Sequence, residues 1–293
     1  MKKSIFILSV ATLLMAGCDK EMAVEQTPVA EDNQICIEAS LGSGTRATAT
    51  AFEDGDTIGL YAVEYNGNEA LSLQLGGNYL NNEAVTKVDG VWTPARPIYW
   101  SENPCDFYGI YPYQQLKGVK DITFDLPLDQ QAEGGYEAAD LLWAKAERVS
   151  REDGAVNLQF KHMMSRLVVE IERGPNFEGE LPEDIVVHIY NTATTASVDW
   201  TIGSLEKHIN SENKTINMRK VDGSTFEAIV IPQFIERVTP LVEITMEGIA
   251  YLLEESISLR PGYQHTITAT LNTSPDQEKI EIDFDGSVED GEW

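Results

Sequence analysis

Apolar and polar residues alternate with a period of two along most of this chain. The pattern is plain at Ile58, Leu60 and Ala62, at Ile122, Phe124 and Leu126, and at Leu167, Val169 and Ile171, where Glu170 and Glu172 lie between. Successive side chains of an extended chain point to opposite faces, so this spacing makes half-buried strands and cannot line one face of a helix. The second half repeats it in residues 185–191, 197–202, 215–219, 226–231, 242–246, 249–257 and 264–271. In the last of these, His265, Ile267, Ala269 and Leu271 share a face opposite three threonines. Many short strands bounded by turn residues, with no helical pattern between them, predict antiparallel β-sandwiches and argue against a parallel α/β sheet. Residues 137–149 depart from the pattern. Their composition forms helices, yet a glycine pair precedes them and strands flank them, so they read as a helical turn or an edge strand.

A chain of 293 residues suits two domains of moderate size. The break richest in Gly and Pro, Gly174 to Pro182, falls near the middle. The expected organisation is therefore all-β, with two tandem antiparallel sandwiches over residues 35–174 and 175–274 and a separate C-terminal segment over 275–293. Upstream, Lys2 and Lys3 precede an apolar run from Ile5 to Ala16, which ends in Met15-Ala16-Gly17-Cys18. A basic start, a short apolar stretch and small residues before the cut mark a secretory signal, and the run is too short to span a bilayer. A cysteine directly after the small pair resembles a lipobox. That reading makes 1–17 a lipoprotein signal, Cys18 the lipidated residue, and the polar, Pro-containing stretch 18–34 a tether.

The formal net charge is −27, and removing residues 1–17 takes away two lysines and no acid. So negative a chain repels phosphate, which excludes nucleic acid as an expected partner. Beyond Cys18 only Cys36 and Cys105 remain, too few for a disulfide framework in an exported chain of this length. They could pair. Cys36, between Ile35 and Ile37, reads equally well as a buried, inert thiol.

Catalytic signatures are missing from the sequence: no glycine loop runs from a strand into a helix, and neither His-Glu-x-x-His nor Cys-x-x-Cys occurs. His162 and Ser165 stand three apart, which on a single strand places them on opposite faces and rules out a dyad. With 48 acids, paired carboxylates arise by chance and carry no signal for glycoside hydrolysis. The aromatic group Trp92, Tyr99, Trp100, Phe107, Tyr108, Tyr111 and Tyr113 could stack on sugars, but a sandwich core is the better reading, since Phe107, Tyr111 and Tyr113 share a face. No cofactor, metal or catalytic role is expected.

Several separated pieces then occur together and in order. The lipobox is followed by an apolar strand from Ile35 to Leu41, by Gly44-Thr45-Arg46-Ala47, and by Asp54-Gly55-Asp56-Thr57-Ile58-Gly59-Leu60-Tyr61. Next come Ile98-Tyr99-Trp100, the run Phe107 to Tyr113, Asp140-Leu141-Leu142-Trp143-Ala144, Phe160 to Leu167, and Leu259-Arg260-Pro261-Gly262-Tyr263. The ordered set resembles the fimbrillin family of Bacteroidetes surface pilins. That resemblance implies transthyretin-like β-sandwiches exported as lipoprotein precursors and held at the outer membrane by a lipid anchor. It also implies that an arginine-specific protease cuts the loop after the first strand, here between Arg46 and Ala47, and that a strand of the next subunit fills the vacated groove. Other pilin subunits would be the partners, together with an adhesion ligand on host or bacterial surfaces. The strand to be replaced carries Ile35, Ile37, Ala39 and Leu41 on one face. Beyond the Thr273-Ser274-Pro275-Asp276 break, Ile280, Ile282 and Phe284 alternate with acids, which makes them the candidate donor. That segment could equally pair within its own C-terminal domain. The alternative function is a non-polymerising surface lipoprotein that binds glycan or protein ligands.

Overall fold

A computed structural model describes residues 33–42, 51–236, 240–254, 256–271, 282–283 and 289–293. Cys18, Arg46, Ala47, Ile280 and Phe284 lie outside them, and for Ile282 only the backbone is described. Among the described residues the chain runs β1 (Cys36–Leu41), β2 (Thr57–Asn66), β3 (Glu69–Ala70), β4 (Leu80–Val88), β5 (Val91–Pro94), β6 (Cys105–Tyr111) and β7 (Ile122–Asp125). A short helix, α1 (Gly135–Ala139), leads to β8 (Leu142–Val149) and β9 (Ala155–His162). The next strands are β10 (Ser165–Arg173), β11 (Val186–Ala193), β12 (Thr195–Asp199), β13 (Ser204–Lys207), β14 (Asn213–Asn217), β15 (Arg219–Lys220) and β16 (Thr225–Val230). Last come β17 (Gln233–Ile235), β18 (Pro240–Met246), β19 (Ile249–Glu254), β20 (Ile257–Leu259), β21 (Tyr263–Leu271), β22 (Ile282–Asp283) and β23 (Glu289–Glu292). No helix among the described residues is long and apolar enough to cross a membrane.

The expected all-β architecture is present. One sheet has the order β1-β9-β8-β6-β2-β4-β5, with β3 added on β2. A second runs β15-β16-β10-β21-β22, with β23 also on β21, and a third runs β14-β11-β18-β19. Two hydrophobic cores result. One face of the first sheet buries Ile37, Ile58, Leu60, Phe107, Leu158 and Phe160. Its other face joins the second and third sheets around Tyr61, Tyr108, Leu167, Phe226, Ile244 and Ile267. Two joints in these largely antiparallel sheets are parallel, β1 on β9 and β10 on β21. In each the two strands are far apart in sequence, so no hairpin imposes the antiparallel direction.

Three expectations change on contact with this architecture. The strand at Ile58, Leu60 and Ala62 is not half-buried, because Tyr61 and Val63 enter the second core while the even-numbered set enters the first. Residues 137–149 end a short helix and then form β8, which lies between β6 and β9 and is no edge strand. Its alternation of Leu142 and Ala144 with Trp143 and Lys145 overrides helix propensity, since that register buries the first pair. β10 falls within the expected first domain, yet it pairs with β16 and β21, and β7 likewise pairs with β12.

Candidate functional site

β1 enters the first sheet as a wedge. Its six residues pair in parallel with β9, from Cys36 opposite Ala155 to Leu41 opposite Phe160. The alternation puts Ile35 and Ile37 at 6% and 4% exposure, and packs the half-buried Ala39 and Leu41 against the same core. Below them lie Val156, Leu158 and Phe160, all buried. Phe160 takes up space that only a glycine leaves, since a Cβ on Gly109 would stand 2.4 Å from its ring. Phe52 meets Trp92, Tyr111 and Phe160 edge to face at 5.1, 5.5 and 5.3 Å. These rings, Trp100 and Phe107 are packed inward and Tyr108 enters the second core, so most of the aromatic group builds core, while Tyr99 and Tyr113 stay half-buried outside both clusters.

The far side of β1 is also held. The Ile35 N–H donates to Ile98 O at 2.9 Å, the Trp100 N–H donates to Asn33 O at 3.0 Å, and the Trp92 indole N–H donates to Ala39 O at 3.0 Å. At its end the Gly42 N–H donates to Phe160 O at 2.8 Å, just before residues 43–50, which include Arg46 and Ala47. Burying a side chain as large as isoleucine stabilises by about 1.5 to 3 kcal/mol. Loss of β1 would therefore leave a groove that is apolar along its floor and unpaired along the β9 backbone.

Cys36, for which pairing with Cys105 and a buried thiol are equal readings, is exposed, because its neighbours Ile35 and Ile37 take the inward positions. Cys105 is buried, and burial pushes its thiol up to about 12. The two cysteines are free, so no bond ties β1 to β6.

The C-terminal segment occupies the edge of β21. Leu271 stands opposite Ile282, and Tyr263 to Thr266 stand opposite Glu292 to Glu289, all antiparallel. Trp293 is buried against His162, their rings stacked at 3.6 Å, and its N–H donates to Gly262 O at 2.9 Å. This contact is not legible in the sequence, since a single tryptophan after Glu289-Asp290-Gly291-Glu292 has no periodic partner.

His162 and Ser165 lie on two strands, β9 and β10, and not on one. His162 Nδ1 pairs with Asp140 Oδ1 at 3.0 Å, whereas the Ser165 hydroxyl donates to Arg260 O at 2.5 Å. They make no dyad. Met163 and Met164, between them, belong to the second core.

A family model described as fimbrillin-like matches residues 45–290. A candidate fimbrium subunit, Fim1C of Bacteroides uniformis, is 27% identical over 241 residues, which span 79% of this chain and 76% of that protein. A candidate fimbrium tip subunit of Bacteroides ovatus is 26% identical over 191 residues, 56% of this chain but only 34% of its own length. Among solved structures, a candidate cell adhesion protein from Bacteroides uniformis superposes with a TM-score of 0.67 at 23% identity, covering 90% of this chain and 99% of that one. One from Bacteroides ovatus gives 0.66 at 17% identity, over 89% and 97%. By the breadth of the family match, this chain belongs to the fimbrillin-like family.

Proposed function

We propose that this chain is a structural subunit of a cell-surface fimbrium, without catalysis, exported as a lipoprotein precursor on Cys18 and joined to its neighbours by strand exchange. Family membership supports it, as do relatives that carry the names fimbrium subunit and fimbrium tip subunit. The observation that carries the reading is the position of β1. Among the described residues it is the first strand and stands at a sheet edge, its apolar face lines a core, it is bound there by hydrogen bonds and packing with no disulfide, and Arg46 follows within a few residues.

In this reading a protease cuts after Arg46, β1 leaves, and Ile280, Ile282 and Phe284 of a neighbouring subunit take the places of Ile35, Ile37, Ala39 and Leu41. Apolar burial lost in one step is regained in the next, so exchange changes little in buried area. The cut supplies the direction. An uncut β1 competes from the same chain at high effective concentration, whereas a released fragment diffuses away and must pay the full entropy of rebinding.

The test is incubation of the full chain with an arginine-specific protease. We expect a fragment ending at Arg46 to leave and filaments to grow, while a chain lacking 277–293 is cut and does not extend. Filaments grown from that truncated chain would move the donor elsewhere.

A further inference from the structure

A cavity of about 300 Å³ lies at the C-terminal end of β1, between Leu41 and Ala51 on one side and the helix α1 on the other. Its charge is mostly negative. Glu53, Asp56, Glu137 and Asp140 line it against one guanidinium, that of Arg219, and its apolar walls include the rings of Phe52, Tyr111 and Tyr136.

The donors present are already engaged. The Tyr111 hydroxyl donates to Asp56 Oδ1 at 3.0 Å, and the Tyr136 hydroxyl donates to Glu227 Oε2 at 3.3 Å. Arg219 donates to Glu137 at 2.9 Å and to Glu227, and its guanidinium lies 3.7 Å from the centre of the Tyr136 ring. Burial first, and then the charges of Asp56, Asp140 and Glu137, raise the Tyr111 phenol above its ordinary value, so the carboxylates converge on one space.

An independent observation comes from His162, which also lines the cavity. Its side chain is 4% exposed, and its Nε2 is buried with no hydrogen-bond partner among the described residues. Nδ1 faces the Asp140 carboxylate at 3.0 Å, and in the neutral tautomer that donates there Nε2 is left as an acceptor. Buried acceptors without donors are rare in folded proteins and point to a missing group. A group that fits this lining donates hydrogen bonds, carries positive charge and tolerates aromatic walls.

We infer that this cavity is a binding site for a primary ammonium or guanidinium group. Carboxylates at its rim hold the charge, the rings provide cation–π contact, and a N–H reaches His162 Nε2. Two sources supply such a group. One is an external amine or arginine side chain, and the other is the α-ammonium created at Ala47 when the chain is cut after Arg46, four residues ahead of Ala51 at the rim. Only the second source rests on the processing reading above, so a failure of that reading leaves the external source to be judged alone.

The test is calorimetric titration of the full chain, uncut and cut at Arg46, with agmatine and with urea as the neutral isostere of guanidinium. Agmatine should bind and urea should not. Glu53→Gln and Asp140→Asn should each weaken agmatine roughly tenfold, as expected for loss of a charged hydrogen-bond partner. Glu53 is exposed, so its variant keeps the test valid if Asp140→Asn fails to fold. Agmatine binding that the cut abolishes and acetylation of the new N-terminus restores assigns the site to the α-ammonium. Equal binding before and after the cut assigns it to an external cation. Agmatine that binds no better than urea, or equally well to both variants, would overturn the site.

Discussion

β1 and the C-terminal segment are both terminal strands laid along a sheet, yet they are held by different means. β1 is clamped on two sides, with a six-residue ladder to β9 on one and, on the other, a hydrogen bond from the Ile35 N–H to Ile98 O and bonds from Trp100 to Asn33 and from Trp92 to Ala39, and its side chains complete a core. Among the described residues the C-terminal segment pairs on one side, through two short stretches on β21, and its anchor there is Trp293 on His162. The contrast teaches where each strand's stability resides. Removing β1 opens a core and should unfold or destabilise the whole sheet, whereas releasing the C-terminal segment should be a local event.

The sharpest way to break that contrast is to damage each strand in turn. Ile37→Ala should lower global stability by about 2 to 4 kcal/mol, the usual cost of truncating a buried isoleucine, read as a shift of the urea midpoint. An unchanged midpoint would mean that β1 is a loosely held strand. Trp293→Ala should leave that midpoint within about 1 kcal/mol, because the segment opens on its own, while amides of Tyr263 to Thr266 exchange faster. A global loss as large as that of Ile37→Ala would erase the distinction.

Trp92→Phe keeps the aromatic packing and removes the bond to Ala39 O, so about 0.5 to 1.5 kcal/mol should be lost, and from β1 in particular. Faster release of the β1 fragment after cleavage is its second readout. The smallest effect is chemical. Cys36 should react with a thiol reagent at pH 8 in the folded protein, with no change in stability, while Cys105, buried and pushed up to about 12, should react only on unfolding. Mass spectrometry of the labelled protein distinguishes the two sites.

The sequence carried the strands wherever one face meets water. The His265 to Leu271 alternation reappears as β21, and Glu170 and Glu172 mark the outer face of β10. It failed at β2, where both faces are buried and the alternation carries no sign of the second core. It also failed at β8, where local helix propensity and tertiary burial pull in opposite directions. The parallel register of β1 on β9 joins strands more than a hundred residues apart, and a local period holds no information on such pairings. Ile35, Ile37, Ala39 and Leu41 were legible as one face; what they pack on was not. The cavity carboxylates were invisible for another reason. Glu53, Asp56, Glu137 and Asp140 are four acids among 48, and only the fold brings them together.

The central claim is that β1 is the strand this protein gives up. The direct measurement is the N-terminus of the protein recovered from cell-surface filaments. The account predicts a chain that begins at Ala47, with β1 absent and the groove on β9 filled by another subunit. Filament protein that still begins at a lipidated Cys18, with Ile35 to Leu41 in place, would contradict it.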